Sequence, residues 1–334
     1  MRPAVSILLP VRDEAKHLPA ALTSLQRQTH TDWELVAVDD GSRDATPQIL
    51  ASAAAADQRI RILRRPAEGL VAALNAGLEL CRAGLTARMD GDDICHPQRL
   101  ELQLAHLRRH PQLDLLACRV RHFPRPHLQE GMRAYEDWQN ELLSQEQILA
   151  NLFVESPFAH PSVIYRTERV RDLGGYRQRD WAEDYDLWLR MAAAGAQFAR
   201  LPRTLLYWRD RPQRLTRTAE NCSLDAFRRC KAHFLRRGYL KQHPQVRIWG
   251  AGMEGKLWRK VLQAEGIGVA AWIDIDPKKI GQRIHQAQVV APEEILQRSE
   301  PILVCVGTRG ARKLIRAFCH NQGMIEGRDY LCVT

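Results

Sequence analysis

Ala87-Arg88-Met89-Asp90-Gly91-Asp92-Asp93 sets three carboxylates within four residues, directly after an apolar approach. Like charges this close repel unless a cation sits among them. Two readings compete. Asp and Gly are ordinary turn formers, so the stretch can be an acidic turn. It can also hold a hard divalent ion, which takes oxygen ligands and leaves room for substrate phosphates. A calcium EF-hand loop does not fit. Glu101 falls at the twelfth place from Asp90, but Ile94 and Cys95 stand where an oxygen ligand and a glycine are needed.

Upstream, the chain alternates strand and helix. Val5-Ser6-Ile7-Leu8-Leu9 is a continuous apolar run ended by Pro10, the pattern of a buried parallel strand. A helical period follows from about 18 to 28, with Leu18, Ala21, Leu22 and Leu25 on one side. Trp33 to Val38 reads as a second buried strand and runs into Asp39-Asp40-Gly41-Ser42. Helix 46–56, strand 59–63 and helix 70–81 then lead back to the acidic turn. This alternation predicts an open α/β sheet with helices on both faces. Ligands of such sheets sit outside the carboxyl ends of the strands. Pro10-Val11-Arg12, Asp39-Asp40 and Asp90-Gly91-Asp92-Asp93 would therefore share one rim, as a nucleoside pocket requires.

Downstream, His96-Pro97 opens a helix to about Arg109, and His96 reads as a helix-start residue rather than a metal ligand. A strand is expected over 113–123, broken by Pro124-Arg125-Pro126. Residues 130–153 have a helical pattern whose aromatics, Tyr135, Trp138 and Phe153, read as core. Beyond them come Ala159-His160-Pro161-Ser162, Gly174-Gly175-Tyr176-Arg177 and Trp181-Ala182-Glu183-Asp184-Tyr185-Asp186. The last opens an amphipathic helix, 184–194, with Leu187 and Met191 facing in. A helix N-terminus favours one or two acids there. Glu183, Asp184 and Asp186 together exceed that.

The ordered set resembles the inverting glycosyltransferases of family 2, with the GT-A fold. It is carried by Val5 to Pro10, Val38-Asp39-Asp40-Gly41-Ser42, Arg88 to Asp93, and Glu183-Asp184-Tyr185-Asp186-Leu187-Trp188. Lesser matches lie at Gly69-Leu70, Asn75-Ala76-Gly77, His96-Pro97 and His160-Pro161-Ser162, and the similarity spans about residues 3 to 217. The resemblance implies that Pro10, Arg12, Asp39 and Asp40 hold the nucleoside and that Asp90 faces the ribose or sugar. Asp92 would bind Mg²⁺ or Mn²⁺ on the diphosphate, supported by Asp93, and Asp184 would be the catalytic base. It implies a nucleoside-diphosphate sugar donor and a glycan or lipid-linked acceptor, in surface polysaccharide synthesis. The chain departs from the family at Arg12-Asp13, and at Tyr207-Trp208-Arg209-Asp210-Arg211-Pro212, where arginines replace a His or a Ser-rich loop.

A second α/β pattern starts at Val246-Arg247-Ile248-Trp249 and enters Gly250-Ala251-Gly252-Met253-Glu254-Gly255. Gly250, Gly252 and Gly255 fit a phosphate-binding G-x-G-x-x-G loop between strand and helix, with Asp274 and Asp276 about 20 residues on. Only about 90 residues are available, nearer half of a dinucleotide fold, and no His or Tyr/Lys couple for hydride chemistry is evident. The segment resembles the small Rossmann-like domains appended to sugar-modifying enzymes. A nucleotide-binding module, a structural domain and an NAD-dependent step all stay open for it.

The 334 residues are thus expected as a GT-A domain over 1–217, a basic helical linker over 218–244 and a Rossmann-like α/β domain over 245–334. No apolar run approaches the roughly 18 residues of a membrane span, no signal peptide is evident, and eight scattered cysteines give no zinc or disulfide pattern. These point to a cytoplasmic chain. Of the net charge of +10, much lies in 200–241, where twelve Arg and Lys face Asp210, Glu220 and Asp225. That stretch suits a solvated surface, an anionic diphosphate or peripheral contact with the inner face of a membrane. No nucleic-acid module accompanies it, and an oligomer is allowed. The alternative function is a non-catalytic sugar-nucleotide sensor or scaffold.

Overall fold

Strands β1 (Val5–Val11) and β2 (Trp33–Asp40) are buried along their whole lengths, as apolar runs covered on both faces must be. With β3 (Ile60–Arg65), β4 (Leu85–Arg88), β5 (Ile94–Cys95), β6 (Leu115–Phe123), β7 (Ile164–Arg166) and β8 (Phe198–Arg209) they form an eight-stranded sheet. Its order is β3-β2-β1-β4-β7-β6-β8-β5. The first four strands are mutually parallel, so β1, β2 and β4 end on the same rim. Pro10 does not end β1 as the sequence suggested. It pairs in register with Val38, beyond the last β1–β4 pair at Leu8 and Arg88. Its missing N–H therefore falls where the strand has a single neighbour.

Helices α1 (Leu18–Gln26), α2 (Thr46–Ala56) and α3 (Leu70–Leu80) connect these strands. Helix α3 lies very close to the sheet at Gly77, where a Cβ would stand 2.3 Å from Leu8 Cδ1 and 2.8 Å from Val38 Cγ2. Helix α4 (Arg99–Arg109) buries Leu100, Leu104 and Leu107. The stretch read as helical over 130–153 is two helices, α5 (Glu130–Glu141) and α6 (Gln145–Asn151), and Tyr135 and Trp138 are half-buried and stacked 5.9 Å apart. A short helix α7 (Thr167–Asp172) precedes α8 (Glu183–Ala193), which buries Leu187 and Met191.

The computed structural model describes residues 2–126, 128–211, 219–297 and 299–334. It divides into two compact units, one of 1–148 with 157–218 and one of 149–156 with 219–334. In the second unit, β9 (Gln245–Trp249), β10 (Gly268–Ile273), β11 (Arg283–Ile284), β12 (Ala287–Val290), β13 (Ile302–Val304) and β14 (Tyr330–Cys332) form a sheet of order β11-β12-β10-β9-β13-β14. All its pairings are parallel except β11 with β12. The helix Leu224–Arg237, read from sequence as a linker, is built into this unit, since Ala232 and Leu235 join its core beside Trp258 and Trp272. Phe153 of the 149–156 segment packs on the same core. Nearby, the buried Lys231 donates to Val154 O at 2.7 Å and Val333 O at 3.2 Å. Among the described residues no helix is long and apolar enough to cross a membrane.

Candidate active site

The rim of the first sheet is stitched by backbone and side chain. Asp39 Oδ1 accepts from Ser42 N at 3.0 Å, and Gly41 turns there at φ +70°. Asp40 accepts from Glu68 N at 2.9 Å and Gly69 N at 3.0 Å. Arg12, about half exposed, stands 3.7 Å from Asp40. Its neighbour Asp13 takes a left-handed φ of +53°. There Asp13 accepts from Arg43 N at 2.8 Å and donates its own N–H to Ser42 Oγ at 3.0 Å. The paired ends of β1 and β2, with the loops after them, thus carry Pro10, Arg12, Asp39 and Asp40 side by side.

The acidic turn after β4 completes the rim. Asp90, Asp92 and Asp93 each bring a carboxylate oxygen within 4.8 Å of the others. Two guanidinium groups and the backbone of a third arginine meet these carboxylates. Arg88, 2% exposed, holds Asp90 Oδ1 at 2.7 Å. The Arg209 backbone N–H donates to Asp93 Oδ1 at 2.7 Å while its Nε donates to Asp92 O at 2.7 Å. Arg211 Nε lies 3.0 Å from Asp92 Oδ2, and its Nη2 pairs with Glu14. Burial, then the pull of Arg211, set the Glu14 carboxyl, which is raised on balance with Asp92 and Asp90 facing it. Gly91 allows the turn to press on β1, since a Cβ there would lie 2.7 Å from Val11 Cγ1.

Asp184 stands in the first turn of α8. Burial, and then the neighbouring Glu183, push its carboxyl up to about 8. The three acids of this turn have separate partners, and Asp184 Oδ1 accepts from Tyr185 N at 2.6 Å. Asp186 accepts from Trp181 Nε1 at 3.0 Å and from Arg190 Nε at 2.6 Å, while Arg190 also donates to Leu173 O and Gly175 O. Glu183 lies 3.7 Å from His160 Nδ1. Burial, then Arg88, hold His160 well below its ordinary range, so it is a neutral imidazole. Its Nε2 meets Tyr176 OH at 3.0 Å, which meets Tyr165 OH at 3.1 Å. Arg88, bonded to Asp90, also lies within electrostatic reach of Glu183, and so links the acidic turn to the start of α8.

Sequence reasoning gave no role to Glu14, Arg88 or Asn75. Asn75 clamps Tyr176 through both backbone groups, accepting from Tyr176 N at 2.8 Å and donating to Tyr176 O at 2.8 Å. Only the N-A-G stretch within the helical pattern over 70–81 hinted at it. His96 Nδ1 accepts from Gln98 N at 3.2 Å, as a helix-start residue does. Gly250, Gly252 and Gly255 lie in the second unit. Arg214 and Arg217 lie outside the described residues.

Residues 6–174 match the family model described as Glycosyl transferase family 2. The amylovoran biosynthesis glycosyltransferase AmsE of Erwinia amylovora is 34% identical over 206 residues, 61% of this chain and 74% of AmsE. In structure, S. aureus TarS 1–349 in complex with UDP-GlcNAc aligns at a TM-score of 0.56 and 17% identity, over 79% of this chain and 80% of that one. The mannosyltransferase PcManGT of Pyrobaculum calidifontis, in complex with GDP-Man and Mn²⁺, aligns at a TM-score of 0.51 and 18% identity, over 80% and 70%.

Proposed function

The chain belongs to glycosyl transferase family 2 and is a glycosyltransferase whose first unit has the GT-A fold, and from that premise we propose the reaction it performs. It moves a sugar, with inversion, from a nucleoside-diphosphate sugar to a glycan or lipid-linked acceptor in surface polysaccharide synthesis. The nucleotide is UDP in the first instance. The name of AmsE supports the polysaccharide setting, and two structures of this fold that hold UDP-GlcNAc and GDP-Man support the donor class.

The observation that carries the reading is Asp184. Asp186 is committed to Trp181 and Arg190, whereas Asp184 has its carboxyl raised to about 8 by burial and by Glu183. A carboxylate raised toward neutrality is tuned for proton transfer. Asp184 takes the acceptor hydroxyl proton as the new C–O bond forms at the anomeric carbon. The bond to the diphosphate breaks on the opposite face, and the electron pair leaves with the nucleotide.

The acidic turn suits Mg²⁺ or Mn²⁺, since three carboxylate oxygens within 4.8 Å form a hard donor set. Asp92 would hold the ion with Asp90 beside it, and the bound ion would stabilise charge on the departing diphosphate. Asp93, fully buried and accepting from Arg209 N, positions the turn. Arg12, Pro10, Asp39 and Asp40 form the nucleoside wall.

Titration calorimetry of UDP with and without Mn²⁺ tests the donor site. A Mn²⁺-dependent component of UDP binding is expected, and that component is expected to be lost in Asp92→Ala. Asp184→Asn is expected to bind UDP like wild type while turnover falls by ~10²–10⁴. Equal turnover in Asp184→Asn would remove Asp184 as the base, whereas absence of both sugar transfer and a Mn²⁺-dependent component of UDP binding in wild type would favour a scaffold that only binds.

A further inference from the structure

The sheet of the second unit changes direction at β9. Strand β10 follows on one side through the helix Met253–Ala264, and β13 pairs on the other. Parallel sheets bind ligands at such a switch point, outside the carboxyl ends of the strands. A cavity of about 670 Å³ lies there, walled by Gly250 and Gly252 after β9, Asp274 and Ile275 after β10, and Val306 after β13. Small-molecule sites run from about 300 to 1,000 Å³.

The three loop glycines are glycines for different reasons. Gly250 has φ +113°, and a Cβ on it would stand 2.9 Å from Cys305 O. A Cβ on Gly255 would lie 1.9 Å from Gly250 O. The fold itself forbids side chains at both. Gly252 differs, with an ordinary φ of −89° and nothing within 4 Å of the place a Cβ would take. Neither backbone nor packing requires a glycine there. What a side chain at Gly252 would obstruct is the cavity, at the start of the helix Met253–Ala264, where backbone N–H groups and the helix dipole favour an anion. The acid in that first turn, Glu254, is balanced by a bidentate pair with Arg228 at 2.8 and 2.9 Å.

A polar anchor stands on the same wall. Asp274, 8% exposed, accepts from Ala251 N at 3.0 Å and Lys279 Nζ at 3.0 Å. It therefore ties the glycine loop to the end of β10, where an acid receives ribose hydroxyls in nucleotide folds. Around it Ile275, Met253 and Leu314 also line the cavity while being 77%, 74% and 73% exposed. Large apolar side chains grouped at the rim of a cavity mark a binding site.

We propose that this cavity is a second nucleotide site, taking a ribonucleoside diphosphate or its ester with the phosphates over Gly252, the ribose diol on Asp274 and the base against Ile275 and Leu314. The site binds without turning over. Its described lining residues include no His or Tyr to exchange a proton beside a hydride, and burial keeps the Cys305 thiol well above its ordinary range. A nucleotide sugar and a dinucleotide share this diphosphate chemistry.

Calorimetry on the full chain with UDP, ADP and NAD⁺ separates them, with EDTA present so that the metal site of the first unit is silent. One equivalent of at least one probe is expected to bind, in wild type and Asp92→Ala alike. A preference for UDP identifies a nucleotide sugar, and a preference for ADP or NAD⁺ a dinucleotide. Gly252→Val is expected to weaken binding roughly tenfold or more with an unchanged melting temperature, and the 2′-deoxy form of the best mononucleotide to lose as much on wild type. Absence of saturation by all three probes at millimolar concentration would overturn the proposal. So would unaltered binding in Gly252→Val, or binding that vanishes in Asp92→Ala.

Discussion

Asp184 has its carboxyl raised to about 8 by burial and then by Glu183, with Arg88 opposing, and Tyr176 facing the same pair. A base works unprotonated, so the transfer rate should rise about tenfold per pH unit below 8 and level off above it. Initial rates across that range check this, and a flat profile would remove Asp184 from the role. Stability follows the opposite sign. A carboxyl raised from 3.8 contributes stability fully below that value and loses it as pH rises through 8. Melting curves of Asp184→Asn should therefore converge with wild type toward pH 4, gain on it as pH rises from 4 to 8 and hold that gain above 8. Arg211 gives a second expectation. Removing it leaves Glu14 and Asp92 facing each other, so Arg211→Ala should cost about 1–3 kcal/mol in metal-free protein, with Mn²⁺ recovering part of it in thermal melts. The acids of both turns were legible because so many carboxylates in a short stretch exceed what turns and helix starts need. Their cations were not. Arg88 looks like any strand residue, and Glu14 meets Asp92 through Arg211, far along the chain.

Helix α3 shows how one element sets the site. Gly77 lets it approach Leu8 and Val38, and Asn75, two residues earlier, clamps Tyr176. Gly77→Ala should destabilise by about 1–3 kcal/mol through overpacking, whereas Gly84→Ala, whose Cβ meets nothing within 4 Å, should leave the melting temperature unchanged. Equal melts for the two would mean that the contact at Leu8 yields at no cost. Strands β1 and β2 could be read from the sequence because burial on both faces demands unbroken apolar runs. Strand β8 could not. Its pairing with β6 slips between Leu201 and Thr204, around the exposed Pro202 and Arg203, and that irregularity hides the period. Its end nevertheless brings Arg209 to the acidic turn.

At the scale of the molecule, the basic stretch over 200–241 is largely internal chemistry. Arg200 and Lys231 are buried, Arg209 and Arg211 serve the acidic turn, and Arg228 and Arg229 pair with Glu254 and Asp225. Arg236 donates to Leu240 O and Lys241 O, and Arg237 pairs with Glu265, which leaves Arg203 and Lys241 exposed among the described residues of the stretch. On the membrane reading, changing Arg203, Arg214, Arg217 and Lys241 to Gln should abolish sedimentation with phosphatidylglycerol vesicles, and unaltered sedimentation would remove that reading. The sequence showed two α/β patterns because strand and helix alternate twice. It did not show that 149–156 joins the second, since a short apolar stretch carries no mark of the core it will enter. That arrangement has a consequence for the order of synthesis. Leu152, Phe153 and Val154 leave the ribosome more than sixty residues before Ala219, where the main part of their unit begins. For that interval Phe153 lacks the core it packs on, which is built from Ala232 onward. A message cut short after the first unit would leave it uncovered for good, as a handle for chaperones and proteases.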